Sequence, residues 1–270
     1  MNIIQTNDLS REELKIYHAL GEAQLLHCFE PQEGIFIAES RRVIERALSA
    51  GYQPLSMLVE PNRLSAAAEL APDDIPVYCC GEALKGITGY NLTEGFLCAF
   101  RRKRLVPPEE LCRNLRRIAV LESVVNPTNI GAVFRSAAAM GIEAVLLTPA
   151  CCDPLYRRAA RVSMGNVFLV PWTYVASSQG EWNERAVEIL HGLGFKTAAL
   201  ALRDNTLDIR DKRLKSEERL AVLLGTEGEG LCDKTIADSD YAVKIPMTNG
   251  VDSLNVAAAS AVAFWELAMK

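Results

Sequence analysis

Short apolar runs alternate along this chain with amphipathic stretches that end at glycine or proline. In the first hundred residues Ile35 to Ala38, Leu55 to Val59, Ile75 to Cys80 and Phe96 to Phe100 have the length and composition of strands. Helical patterns lie between them, over Ser40 to Ala50, stopped by Gly51, and from Arg63 to Leu70. Residues 1–30 read as helical and mostly polar, with Ser10 to Glu13 spaced like a capping box, before Pro31 to Gly34 breaks the pattern. This alternation over roughly 70 residues predicts a compact α/β unit.

Arg101 to Arg104 and then Val106-Pro-Pro108 read as a linker, because consecutive prolines exclude regular structure. The four basic residues suit either a solvated charge run or phosphate contact. Beyond them the alternation resumes. Strands are expected at Ile118 to Val124, Ala144 to Leu147, Val167 to Val170, Phe195 to Leu202, Leu220 to Leu224 and Tyr241 to Met247. Helices are expected at Asn129 to Met140, closed by Gly141, at Asp153 to Val162, at Trp182 to His191 and at Leu254 to Met269. Asp252 or Ser253 is placed to cap the last helix. Two strand ends, each followed by a loop, therefore face a helix start, the edge at which open α/β sheets bind ligands.

Composition narrows the picture further. Nearly half the residues are apolar (49%) and 23% are charged, which is a globular chain. A net charge of −5 gives no global attraction for nucleic acid, so any such contact must come from a local patch. Arg157, Arg158 and Arg161, on one short helix, form the best such patch in the second half. The eight cysteines include the adjacent pairs Cys79-Cys80 and Cys151-Cys152 but no Cys-x-x-Cys, and three histidines give no zinc-ligand spacing. Reduced buried thiols and no metal site are expected. Met1 to Ser10 lacks a signal-peptide pattern, and the apolar tract from Val256 to Trp265 falls short of the ~20 residues of a membrane helix. A soluble cytoplasmic protein is expected.

The loop Gly225-Thr-Glu-Gly-Glu-Gly230 is neither common nucleotide loop. It has no lysine for a P-loop, and it comes near the end of the chain, whereas a dinucleotide fingerprint follows the first strand of its domain. It does, with Ile245-Pro-Met247 and Ser253-Leu-Asn255, resemble motifs two and three of the SpoU (TrmH-type) RNA methyltransferases of the SPOUT superfamily. Motif one stands upstream in order, as Asn126-Pro-Thr-Asn-Ile-Gly-Ala-Val-Phe-Arg135. The similarity covers residues 118–270 and includes Ser163-Met-Gly165. It departs at Asp252, where family members usually carry glutamate.

The resemblance implies a knotted α/β catalytic domain over 118–270, reached through a lead-in at 105–117. It also implies a small α/β RNA-binding domain, built like certain ribosomal proteins, within 1–104. It implies S-adenosylmethionine as cofactor and a ribose 2′-hydroxyl of structured RNA as acceptor, ribosomal before transfer RNA. Arg135 would stand beside that hydroxyl; since arginine stays protonated, orienting it and stabilising developing negative charge is the chemically sound role. Asn129, Glu227, Ser253 and Asn255 complete the implied catalytic set, with Glu227 as a partner for Arg135. Leu200, Ala201, Leu202, Gly225, Thr226, Glu227, Gly230, Ile245, Met247 and Leu254 would hold the cofactor, and Arg157, Arg158 and Arg161 would meet RNA phosphate or else form a solvated face. The final helix is apolar nearly all round, so burial in the monomer or in a homodimer is required, and the family resemblance points to the dimer. A base methyltransferase on the same fold and a non-catalytic RNA-binding protein are the alternatives.

Overall fold

The computed structural model describes residues 2–8, 10–18, 20–28, 34–81, 95–203, 205–226 and 228–269. They form two compact units, Met1–Arg104 with Leu155–Phe168, and Leu105–Pro154 with Leu169–Lys270.

In the first unit β1 (Asn2–Gln5) opens the chain and two short helices follow, α1 (Lys15–His18) and α2 (Glu22–His27). Then come β2 (Ile35–Glu39), α3 (Arg41–Ser49), β3 (Pro54–Val59), α4 (Leu64–Leu70), β4 (Pro76–Cys79) and β5 (Phe96–Arg101). Among the described residues the strand order is β1-β4-β3-β5-β2, with β1 and β3 parallel to β4 and β5 antiparallel to both β3 and β2. The helical reading of residues 1–30 is corrected at its start. The β-branched pair Ile3-Ile4 adds an edge strand to β4, a choice made by the neighbouring strand more than by local propensity. Ser10 caps nothing; its N–H and hydroxyl both go to the Asp8 carboxylate in a local turn. Leu14, Tyr17 and Leu25 from this stretch are buried in one core with Ile35, Ile37 and Leu58. Pro31 to Glu33 of the proposed break lie outside the described residues.

The proline-rich lead-in contains a short helix, α5 (Pro108–Leu111), with Pro108 in its first turn. The second unit follows with β6 (Arg117–Leu121), α6 (Pro127–Ala139) and β7 (Ala144–Leu147). The next segment, carrying α7 (Arg157–Val162), belongs to the first unit. The chain resumes with β8 (Trp172–Tyr174), α8 (Gln179–Gly192), β9 (Lys196–Leu200), β10 (Leu207–Asp208), α9 (Lys212–Ser216), β11 (Leu220–Leu224), α10 (Asp233–Asp238), β12 (Tyr241–Lys244) and α11 (Val256–Leu267). The sheet is parallel throughout, in the order β10-β12-β9-β11-β6-β7-β8. Central β11 is buried at all five positions, which is why Leu220-Ala-Val-Leu-Leu224 is an unbroken apolar run. Val167 to Val170 is not a strand: Asn166–Phe168 is a 3₁₀ turn, and the strand is Trp172–Tyr174.

Because all strands run the same way, their carboxyl ends share one edge. Helix α6 enters it early, since Asn126 caps the helix through its side chain to the Thr128 N–H and Pro127 takes the first helical position. Asn129 is therefore the third helical residue, and Gly131 lies beyond the first turn. At the opposite edge the Arg117 guanidinium donates to the carbonyls of Leu267, Lys215, Glu217 and Glu218, tying the end of α11 to the start of β6.

Candidate active site

Three strands end at the same place. β9 runs out into Ala201-Leu202, β11 into Gly225-Thr226, and β12 into Ile245-Pro246-Met247, while Ser253 to Asn255 lead into α11. Together they line a cavity of about 530 Å³, within the ~300–1,000 Å³ usual for cofactor sites. Of the residues expected to hold a cofactor, Leu200, Ala201, Leu202, Gly225, Thr226, Gly230, Ile245, Met247 and Leu254 all line it. Glu227 lies outside the described residues.

The glycine loop folds back on itself. The Gly230 N–H donates to the Thr226 carbonyl at 3.1 Å and the two residues form an isolated bridge. A Cβ on Gly225 would stand 2.1 Å from the Gly230 carbonyl carbon, so no larger residue fits without moving the loop. Gly230 itself has φ +73°, a left-handed conformation that glycine adopts without strain.

Motifs one and three meet at this cavity. Asn255, not Asp252 or Ser253, caps α11: its Oδ1 accepts the Ala257 N–H at 2.9 Å. The capping residue is set by where the helix begins, at Val256, and Asp252 and Ser253 stand in the exposed extended approach to it, where both line the cavity. The other half of the Asn255 amide donates to Asn129 Oδ1 at 3.2 Å, and Asn129 is buried. Arg135 lies further along α6, exposed, without a hydrogen bond or ion pair among the described residues. It is not part of the cavity wall. Sequence reasoning did not name Leu231, Ile236 and Ala259, which complete the apolar lining and carry no signal beyond their type.

The arginines expected to meet RNA lie in the first unit. Arg161 donates to Glu39 Oε1 at 2.9 Å and Arg157 stands 3.8 Å from Oε2, while the Glu39 side chain is only 3% exposed. Two of the three charges thus serve a buried carboxylate; Arg158 is exposed. Two residues of the basic run after β5 are also committed: Arg102 is buried with its Nε donating to the Ile35 carbonyl, and Lys103 donates to the Ala50 carbonyl at the end of α3. No described helix is long and apolar enough to cross a membrane.

Comparisons with known proteins place the chain in a family. The chain belongs to the SpoU rRNA methylase family, whose model matches residues 116–265. It is 36% identical over 237 residues to an uncharacterized tRNA/rRNA methyltransferase of Mycobacterium bovis, covering 87% of this chain and 81% of that one. Its fold is that of an AdoMet-bound rRNA methyltransferase from Sinorhizobium meliloti, with TM-score 0.82, 21% identity and coverage of 98% and 97%. A crystal structure of an RNA 2′-O ribose methyltransferase matches with TM-score 0.73 and 25% identity over 98% of each chain. Membership makes the chain an S-adenosylmethionine-dependent RNA methyltransferase.

Proposed function

We propose that the protein methylates a ribose 2′-hydroxyl in structured RNA, ribosomal RNA ahead of transfer RNA. The observation that carries this is the Asn255–Asn129 hydrogen bond, which joins motif one to the stretch of motif three that lines the cavity. The likeness to a 2′-O ribose methyltransferase over the whole chain supports the ribose as acceptor. The separate α/β unit that precedes the sheet of β6 to β12 supports ribosomal RNA as the substrate.

The cavity suits S-adenosylmethionine. Leu202, Ile245, Met247 and Leu254 offer apolar surface to an adenine, the strand ends offer backbone donors and acceptors, and the close-folded glycine loop leaves room for a ligand beside it. The bound sulfonium supplies an electrophilic methyl group. Arg135, a fixed cation whose donors have no partner among the described residues, orients the attacking hydroxyl and stabilises the negative charge that develops on its oxygen. Ser253 and Asn255 position the ribose at the start of α11, Asn129 holds Asn255, and Glu227 pairs with Arg135. Rate enhancement then comes from orientation and electrostatics. Arg158 supplies phosphate contact, with Arg157 and Arg161 beside it.

The same reading has the chain act as a homodimer through α11 and follow the family's knotted path through its last segment. In support of the dimer, Val262 and Trp265 on that helix and Met269 just beyond its end leave an apolar stripe exposed. In support of the path, β12 pairs with β9 and the chain beyond it returns to pack α11 against α6.

The test is transfer of labelled methyl from S-adenosylmethionine to unmodified total RNA. Incorporation into ribosomal RNA at an alkali-resistant linkage is expected, and Arg135→Ala abolishes it while cofactor affinity stays near wild type. Near-normal turnover by that variant removes Arg135 from the mechanism. An alkali-labile product indicates base methylation instead.

A further inference from the structure

One buried carboxylate of the second unit is untouched by the mechanism. Glu122 directly follows β6 and is 3% exposed. Among the described residues no lysine, arginine or histidine pairs with it. A lone buried carboxylate is costly unless donors converge on it, and here three do. Oε1 accepts the Cys232 N–H at 2.5 Å; Oε2 accepts the Trp182 indole N–H at 2.6 Å and the Thr235 hydroxyl at 2.8 Å. Cys232 is the residue at which the glycine loop, Gly225 to Leu231, makes its exit.

The entrance to that loop is held by the same residue. The Glu122 N–H donates to the carbonyl of Leu224, the last residue of β11, at 2.9 Å. The turn of the chain after Glu122 is fixed as well. Ser123 has φ +56°, a left-handed conformation costly for serine, and its N–H is held by the buried Thr148 hydroxyl at 3.0 Å. Three residues further on, Asn126 starts the helix that carries Asn129 and Arg135.

We propose that Glu122 is the positioning residue of the cofactor loop: its backbone N–H holds the entrance, its carboxylate holds the exit, and together they set the affinity for S-adenosylmethionine, a role that rests on the cavity being the cofactor's. Glutamine cannot substitute. It keeps one acceptor oxygen, and its amide N–H₂ faces a donor in either orientation, Cys232 N–H or Trp182 N–H.

Three proteins decide it: wild type, Glu122→Gln and Thr235→Val. The last removes one donor from the far oxygen and leaves the Cys232 bond in place. Cofactor Kd is measured by calorimetry, stability by thermal melting, and hydrogen exchange at the Cys232 amide by mass spectrometry or NMR. The glutamine oxygen keeps two donors, Trp182 and Thr235, if it takes the Oε2 place and only one if it takes the other, so the N–H₂ is set against the Cys232 N–H. E122Q is therefore expected to lose Cys232 amide protection and to raise the Kd at least about tenfold, the scale of a hydrogen bond to a charged group. T235V lowers the melting temperature and leaves Kd and Cys232 protection at wild-type values. Wild-type affinity in E122Q overturns the proposal, as does a T235V variant that loses affinity in step with stability. If the wild type itself does not bind the cofactor, the cavity assignment falls, and unchanged Cys232 protection in E122Q then overturns the loop role separately.

Discussion

Asn255 does two things with one amide, and a substitution separates them. Its Oδ1 caps α11, and serine caps as well as asparagine does. Its Nδ2 reaches Asn129, and serine is too short to do so. Asn255→Ser is therefore expected to keep the wild-type melting temperature while turnover falls at least about a hundredfold, the lower end of losses when one active-site donor is removed. Equal turnover in a single-turnover assay would detach Asn129 from the chemistry. Gly225→Ala acts on the other wall. With a Cβ 2.1 Å from Gly230, the loop must move, and cofactor affinity is expected to fall by more than about tenfold while circular dichroism stays native. At this scale the sequence was most legible where apolar strands run into glycine or proline, because that pattern is both the end of a strand and an opening for a ligand. The loop from Gly225 onward was read in that way; Leu200 to Leu202 were named through the family resemblance, and they line the same cavity. Glu39 and Glu122 were not, since a single glutamate beside an apolar run resembles any surface residue. Only the donors brought to them from 60 to 122 positions away give them their meaning.

Among the elements, β9 and β12 are fastened at the edge opposite the cavity by Asp240. Its Oδ1 accepts from Lys196 Nζ at 2.6 Å, and its Oδ2 meets His191 Nε2, the Thr197 N–H and the Thr197 hydroxyl at 2.8–2.9 Å. Burial pushes this carboxyl's pKa up, but the bonds from Lys196, His191 and Thr197 outweigh it and hold the group well below the ordinary carboxylate range. The sign follows directly. A carboxyl with a lower pKa folded than unfolded adds stability above its unfolded pKa, about 3.9, and loses it as pH falls below that value toward the folded pKa. Asp240→Asn is expected to cost about 1–3 kcal/mol at neutral pH. Its urea midpoint should also fall less steeply than the wild type's between about pH 4 and pH 2. Parallel acid limbs in the two proteins would show that the clamp does not act through its charge. Short edge elements were the ones misread. Asn2–Gln5 and Trp172–Tyr174 are strands because β4 and β7 offer them partners, and Val167-Phe-Leu-Val170 is not, despite its apolar composition. The long buried strands needed no such help.

For the molecule as a whole, the decisive surface is the outer face of α11. Val256, Ser260, Ala263, Phe264 and Leu267 are buried, and Glu266 turns to Lys215 in a 2.6 Å ion pair. The remaining face carries Ala258, Val262 and Trp265 at i, i+4 and i+7, with Trp265 62% exposed, and Met269 is exposed just past the helix end. An all-round apolar helix was legible in the sequence; which side a single chain leaves bare was not, because that depends on where α6 packs. A two-fold axis across this face would bury the tryptophan of both copies. With Trp265 62% exposed, roughly 90–155 Å² of each side chain is left to bury, which at about 25 cal/mol per Å² is some 2–4 kcal/mol per copy at most. Trp265→Glu removes that area twice and sets two carboxylates into a desolvated contact, since a two-fold interface repeats every change. The wild type is expected to sediment as a dimer at micromolar concentration. The variant is expected to sediment as a folded monomer, with circular dichroism unchanged because the substituted side chain faces outward. A monomeric wild type, or a variant that still dimerises, would place the two-fold contact elsewhere and leave this stripe to a different partner.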